Sequence, residues 1–180
     1  MLDDYPNVQS GPPKPSSIIR PQVFSMPPGT ERYVVEGQGA VLIPIETGDH
    51  ITVINDEGGQ HCEIIACDPT GKVDAGIIGA TTQGDAGGLK ALLDSDNQSL
   101  RGLRMGLDAR GIDVASAQAV HLFEATTRAK SEATFTATRD GSVVIAAPSG
   151  AMDFEHQNTA TPLTVMIKKY QAGELAQVVA

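Results

Sequence analysis

Residues 46–71 read ETGDHITVINDEGGQHCEIIACDPTG. Ile51 and Val53 alternate with Thr52 and Ile54, the two-residue period of a pleated strand. The run stops at Asn55-Asp56-Glu57-Gly58-Gly59, residues that tolerate left-handed backbone angles. A second run, 60–67, follows, and Asp68-Pro69-Thr70-Gly71 closes it with another turn. The stretch reads as two strands joined by a tight turn, and it sets a β expectation for what surrounds it.

Outward from this stretch the same pattern recurs. Upstream, strands are expected at 32–35 and 40–45. Pro44 cannot donate to a ladder, so the strand at 40–45 is an edge strand or is bulged. Downstream, strands are expected at 120–125, 133–138, 142–147 and 163–168, with Asp140-Gly141 as a hairpin signal. Between the two β regions, Leu89, Leu92 and Leu93 stand at helical spacing. A second helix, capped by Ser99, carries Leu100, Leu103 and Leu107, shows Arg101, Arg104 and Arg110 on its other face, and stops at Gly111. The arginines read as a solvated face or an anion site. The expected fold is mainly β (α+β), with barrel- or sandwich-like antiparallel sheets and a short helical insertion around 89–110.

Three segments follow from this reading. Residues 1–30 hold seven prolines together with Ile18, Ile19, Val23 and Phe24, and read as an extended arm. Residues 31–170 form a single β-rich domain with a helical insert over 85–111. Residues 171–180 are a tail or linker. The loop 149–162 is longer than the usual connection.

Composition narrows the partners. The 180 residues carry a formal net charge of −9, which disfavours nucleic acid and anionic membranes as partners. No apolar run approaches the ~20 residues of a membrane helix. The acidic N-terminus MLDDYPNVQS is no signal peptide. Two cysteines make no disulfide framework, and a cytoplasmic location is the simplest expectation.

The chemistry-bearing residues are few. Cys62 and Cys67 are five apart and fall on opposite faces of a strand, which suits small buried hydrophobes better than chelation. His61 and Glu63 share a face, and His121 is followed by Glu124. Asp56, Gln60, His61 and His121 are therefore the candidate ligand-binding residues, with no catalytic residue assigned. Asp56, His61 and His121 are the alternative metal set, with Glu63 a conceivable further ligand. No nucleophile elbow and no phosphate loop occurs, and Ser149 lies in a turn-like Pro148-Ser149-Gly150.

Residues 48–60, GDHITVINDEGGQ, resemble the G-x-x-I-x-V-x-D-x-x-G-x-Q core of the urea-carboxylase-associated domain family, a family of unknown function. Pro27-Pro28-Gly29 ahead of Tyr33-Val34-Val35 looks like that family's opening. Residues 111–123, ending His121-Leu122-Phe123, look like its segment ending N-L-F. The resemblance implies a metal site, with ligands from an H-D-x-x-x-x-C segment and a further cysteine. Here no His or Cys stands between Pro69 and Leu107, so it implies a copy that keeps the shell without the metal. It further implies the N-terminal domain of a folate-dependent aminomethyltransferase or trimethylamine-N-oxide demethylase-like protein. On that reading the domain is non-catalytic, and it packs on downstream catalytic domains or builds a homo-oligomer. It holds no cofactor itself, while zinc or iron and tetrahydrofolate serve the parent protein. The alternative is a free-standing metal-dependent enzyme or a small-ligand binding module of the same family.

Overall fold

A computed structural model of the protein describes residues 26–149 and 160–170. Strands form where period-two runs place branched side chains on one face: β1 (Thr30–Val35), β2 (Gly39–Ile45), β3 (His50–Asn55), β4 (Cys62–Cys67), β5 (Gly84–Asp85), β6 (Gln118–Leu122), β7 (Ser131–Thr136), β8 (Gly141–Ala147) and β9 (Leu163–Lys168). They build a four-stranded sheet of order β1-β9-β3-β7 and a five-stranded sheet of order β2-β8-β4-β6-β5. Every named strand pair is antiparallel. The sheets face each other as a sandwich and do not close into the barrel that was the other option. Pro44 lies on β2, an edge strand, where its missing N–H costs no ladder bond.

The turn at 55–59 joins strands of different sheets. β3 pairs with β7 and β9, whereas β4 pairs with β6 and β8. Asp140-Gly141 likewise links β7 of one sheet to β8 of the other, so the expected hairpin is a crossover. Turn residues specify that the chain reverses. They do not specify whether the second strand pairs with the first or passes above it to cover its apolar face.

One core fills the space between the sheets. Val35, Ile51, Val53, Ile64, Val143, Ile145, Val165 and Ile167 are at most 1% exposed there. Fully burying each such side chain contributes roughly 1.5–3 kcal/mol. The second core lies on the other face of the five-stranded sheet. There Leu89 and Leu92 of helix α1 (Gly87–Asp94) and Leu107 of helix α2 (Arg101–Ala109) cover Ile65, Val144 and Ala146. β4 is buried along its whole length because it has a layer on each side. Cys62 joins the first core and Cys67 the second, on opposite faces as their spacing requires.

The helical insert differs from expectation at its start. A 3-10 turn, Gln98–Leu100, precedes α2, and Asn97 rather than Ser99 is its cap, its side chain accepting the Ser99 N–H. Gly111 takes a φ of 65° beyond the end of α2, as a stop residue should. The Arg104 guanidinium donates to the carbonyls of Leu93 and Asn97, at 2.9 and 3.1 Å, and also to that of Ser95. It thereby ties the end of α1 to α2 and is no free anion ligand. Of the expected arm 1–30, residues 1–25 lie outside the described residues. So do residues 150–159 of the long loop and the tail 171–180.

Candidate functional site

Asp56 follows β3 at the rim of the four-stranded sheet. One carboxylate oxygen accepts from Lys130 Nζ at 2.6 Å and the other from the Thr164 hydroxyl at 2.6 Å. These bonds, that from Lys130 first and that from Thr164 second, hold the Asp56 carboxyl below the usual carboxylate range. Lys130 itself sits at a φ of 64°, an unusual angle for a residue with a β-carbon. Arg32 Nη2 reaches the same Thr164 hydroxyl at 3.4 Å. The cluster joins β1, β9 and the turns beside β3 and β7.

Gln60 is 4% exposed and spends its whole side chain inside the protein. Its amide nitrogen donates to the carbonyls of His61 and Pro148, both at 2.7 Å, and its amide oxygen accepts the Thr161 N–H at 2.7 Å. It clamps the entrance of β4, the end of β8 and the approach to β9. Beside it, the fully buried Asn55 donates to the Gln60 carbonyl at 2.9 Å and accepts the Gly58 N–H at 2.9 Å. Counted from Gly48, the acidic position of the resembled motif falls on Asn55 and not on Asp56. Gly58 has a φ of 85°, and a β-carbon there would meet Ala129 N and Thr127 O at 2.7 Å. The motif's turn is thus a buried polar knot.

His121 lies on β6, across from Glu63 in the β4 ladder. Its Nε2 is 2.9 Å from the Asp85 carbonyl oxygen, a contact that calls for the Nε2–H tautomer. Its backbone N–H donates to the Gln83 side-chain oxygen at 2.8 Å. Glu63 is 7% exposed and accepts the N–H groups of Gly88 and Leu89, at 2.9 and 2.7 Å. A carboxylate held by a strand therefore caps the N-terminus of α1, whose own N-cap residue, Ala86, makes no side-chain bond. His61 precedes β4 and is partly exposed.

These residues do not converge. Among the described residues, no group of three or more His, Cys, Asp or Glu side chains is arranged to hold a metal ion. Asp56, beside the four-stranded sheet, and His121, within the five-stranded one, do not form the alternative metal set with His61, because the crossover at 55–59 sends them to different layers. Burial pushes the Cys62 thiol well above its usual value and that of Cys67 up to about 11, so neither thiolate is available at neutral pH. Among the described residues, two of the open surface grooves are of similar size. One, of about 500 Å³, includes Gln38, Gly88, Leu92, Asp96, Pro148 and Ser149 in its lining. The other, of about 470 Å³, includes Asp74, Gly76, Thr81, Ser116 and Gln118. Neither is lined by Asp56, Gln60, His61 or His121.

Two structural carboxylates escaped the sequence reading. Glu63 was noted there for sharing a face with His61 and as a conceivable further metal ligand, and nothing local links it to a helix 25 residues on. Asp49 was not singled out at all. It is fully buried and accepts from Glu46 N–H at 2.9 Å, Lys169 Nζ at 2.8 Å and Tyr170 N–H at 3.1 Å. Burial, the largest single influence, pulls the Lys169 pKa down, but the bond to Asp49 together with the negative charges of Asp49, Glu31 and Glu46 outweighs it and the net shift is upward. For Asp49, its place between a Gly48 turn and β3 is a signal that could have been used.

No protein-family model matches the chain. A trimethylamine-oxide aldolase from Ruegeria pomeroyi strain DSS-3 is 60% identical over 170 residues, which is 94% of this chain and 22% of that protein. The chain thus spans about a fifth of the length of the curated relative it matches. A DUF1989 family protein from Silicibacter pomeroyi DSS-3 shares the fold, with a TM-score of 0.53 and 11% identity over 83% of this chain and 82% of that one. The relative's name corrects the functional expectation from sequence. It is an aldolase, and neither comparison names a demethylase, an aminomethyltransferase or tetrahydrofolate. The expected non-catalytic leading domain of a folate-dependent enzyme is withdrawn on that finding, as are the free-standing metalloenzyme and the binding module offered beside it. Among the described residues, no helix is long and apolar enough to cross a membrane.

Proposed function

We propose that this domain serves a protein that cleaves trimethylamine oxide by aldolase chemistry, and that it is a domain of the urea-carboxylase-associated kind. The observation that carries the reading is the 60% identity, over 94% of the chain, to a protein named for that activity. The fold shared with a DUF1989 family protein and the motif at 48–60 support the domain assignment. Trimethylamine oxide holds all three carbons as N-methyl groups. An aldolase cleavage that releases a carbonyl compound from it therefore yields formaldehyde and leaves dimethylamine. Atoms balance without an outside oxidant, since the N-oxide oxygen becomes the carbonyl oxygen.

In such a protein the partner of this domain is the remainder of the chain or a second copy. Two free, buried cysteines, Cys62 and Cys67, suit a reducing compartment such as the cytoplasm.

The test is an exchange. This chain replaces the matching segment of the Ruegeria aldolase, and the purified chimera is assayed for formaldehyde and dimethylamine released from trimethylamine oxide. Retention of at least half of the parental rate, with the two products in equal amounts, is expected. A folded chimera that releases neither product overturns the reading.

A further inference from the structure

Four strands stand at the ends of the two sheets, β1 and β7 in one, β2 and β5 in the other. An end strand offers unpaired backbone groups to any strand that can reach them, and proteins blunt that offer with proline, lysine or short length. β2 carries Pro44, and β5 has two residues. β1 opens directly behind Pro27-Pro28-Gly29 and carries Arg32. β7 has six residues with neither proline nor lysine, and its single charge is Glu132.

The ladder shows which groups of β7 are free. Ala137 N–H donates to the Asp49 carbonyl at 2.8 Å, in phase with the pairing of β3 and β7. Alternation then turns the backbone groups of Ala133 and Phe135 towards β3, and those of Glu132, Thr134 and Thr136 away from it. Among the described residues, no strand pairs with β7 on that second side. The free length is bounded at both ends. Thr138 N–H donates to the Ile77 carbonyl at 2.7 Å, and Lys130 N–H turns back to the Asn55 carbonyl at 2.7 Å.

This edge complements itself. Set a second copy antiparallel to it, with Thr134 opposite Thr134. Glu132 of each copy then stands opposite Thr136 of the other, and every free group is used, with two hydrogen bonds in each hydrogen-bonded row and about six in all. Sliding the second copy two residues either way loses a row, and sliding it four residues one way sets Glu132 against its own like charge. The full register also matches side chains. In the rows between, where side chains come closest, Ala133 stands opposite Phe135. Phe135 is only partly buried against the core, and the small Ala133 of the second copy leaves room for the rest of its ring. On the outer face, the Thr136 that meets Glu132 has its hydroxyl 3.1 Å from His50 Nδ1, and its row continues through His50 to Lys168. The carboxylate of one copy thus faces the basic row of the other.

We propose that β7 pairs antiparallel with β7 of a second copy of this chain, about a two-fold axis at Thr134, so that the four-stranded sheet runs on from one copy into the other.

Sedimentation of the full chain over a concentration series tests this. A species of twice the 18.8 kDa of one chain is expected. Thr134→Pro removes an N–H that the single chain does not use in its ladder, while the two central bonds of the pair are lost. Its dissociation constant should rise by at least about ten-fold, with circular dichroism checking the fold. Cysteine variants test the register, and decide the matter should the proline variant fail to fold. Thr134→Cys places two α-carbons about 5.5 Å apart, within the span of a disulfide, whereas Glu132→Cys places them about 14 Å apart. Mild oxidation should link the first at least about ten-fold faster than the second. A chain that keeps the mass of one copy at every concentration overturns the proposal. So does a dimer whose dissociation constant is the same in Thr134→Pro, and so do equal rates of linking in the two cysteine variants.

Discussion

Replacing Glu63 by Ala removes the carboxylate that holds the first turn of α1. Its two oxygens accept the Gly88 and Leu89 N–H groups, and the side chain is 7% exposed. A hydrogen bond to a charged group contributes about 1.5–3 kcal/mol, and a buried donor left unpaired bears the desolvation penalty. Fraying of the first helical turn would let water reach the freed amides and lower the loss. We expect Glu63→Ala to cost about 2–4 kcal/mol and Glu63→Gln, which keeps one acceptor, about half of that. For a chain of this length that is a melting shift of about 5–15 °C for the alanine variant. Urea unfolding followed by far-UV circular dichroism measures it, with the slope m unchanged. A second variant checks the geometry. A β-carbon at Gly88 would lie 2.7 Å from the Glu63 Oε1 and 2.7 Å from Pro148, so Gly88→Ala should destabilise by about 1–3 kcal/mol. In combination with Glu63→Ala its cost should fall, because one of the clashing atoms has gone. A Glu63→Ala protein within 0.5 kcal/mol of wild type would refute this account of the cap.

Gln60→Ala strands the Pro148 and His61 carbonyls and the Thr161 N–H, and should cost about 2–3 kcal/mol in the same assay. Gly58→Val meets both a φ of 85° and backbone atoms at 2.7 Å, so a loss of at least 1–3 kcal/mol is expected, and an unchanged melting temperature would contradict it. Asp56 has a depressed folded-state pKa, so its stabilising contribution is present above the unfolded value near pH 4 and is lost as pH falls through the folded value. The stability gap between wild type and Asp56→Asn should therefore narrow as pH drops from 5 to 2, and a gap that widens would reverse the assignment. Cys62 and Cys67 should react with a thiol reagent only when the protein unfolds. Rapid labelling of either in the native state would show that its burial is wrong.

Local chemistry was legible where the answer depends on neighbours along the chain. The alternation Ile51, Val53 marked a strand, Pro44 marked an edge or a bulge, Gly111 marked a helix end, and the spacing of Cys62 and Cys67 put them on opposite faces. The candidate site was legible only in part. Gln60 and Asp56 do carry specific hydrogen bonds, but to Pro148, Thr161, Lys130 and Thr164, partners 74 to 108 residues away that no spacing rule reaches.

By itself the sequence determined that this protein is mostly β with a helical insert, because side-chain period and turn chemistry are properties of adjacent residues. Only the tertiary structure decided that the turns at 55–59 and 140–141 are crossovers between sheets. It alone decided that Glu63 caps a helix, and that Asp56, His61 and His121 do not meet as a metal set. The physical reason is that pairing partners and burial are chosen by the packing of the whole chain. A strand's own residues state that it has an apolar face, and the rest of the molecule determines what covers that face.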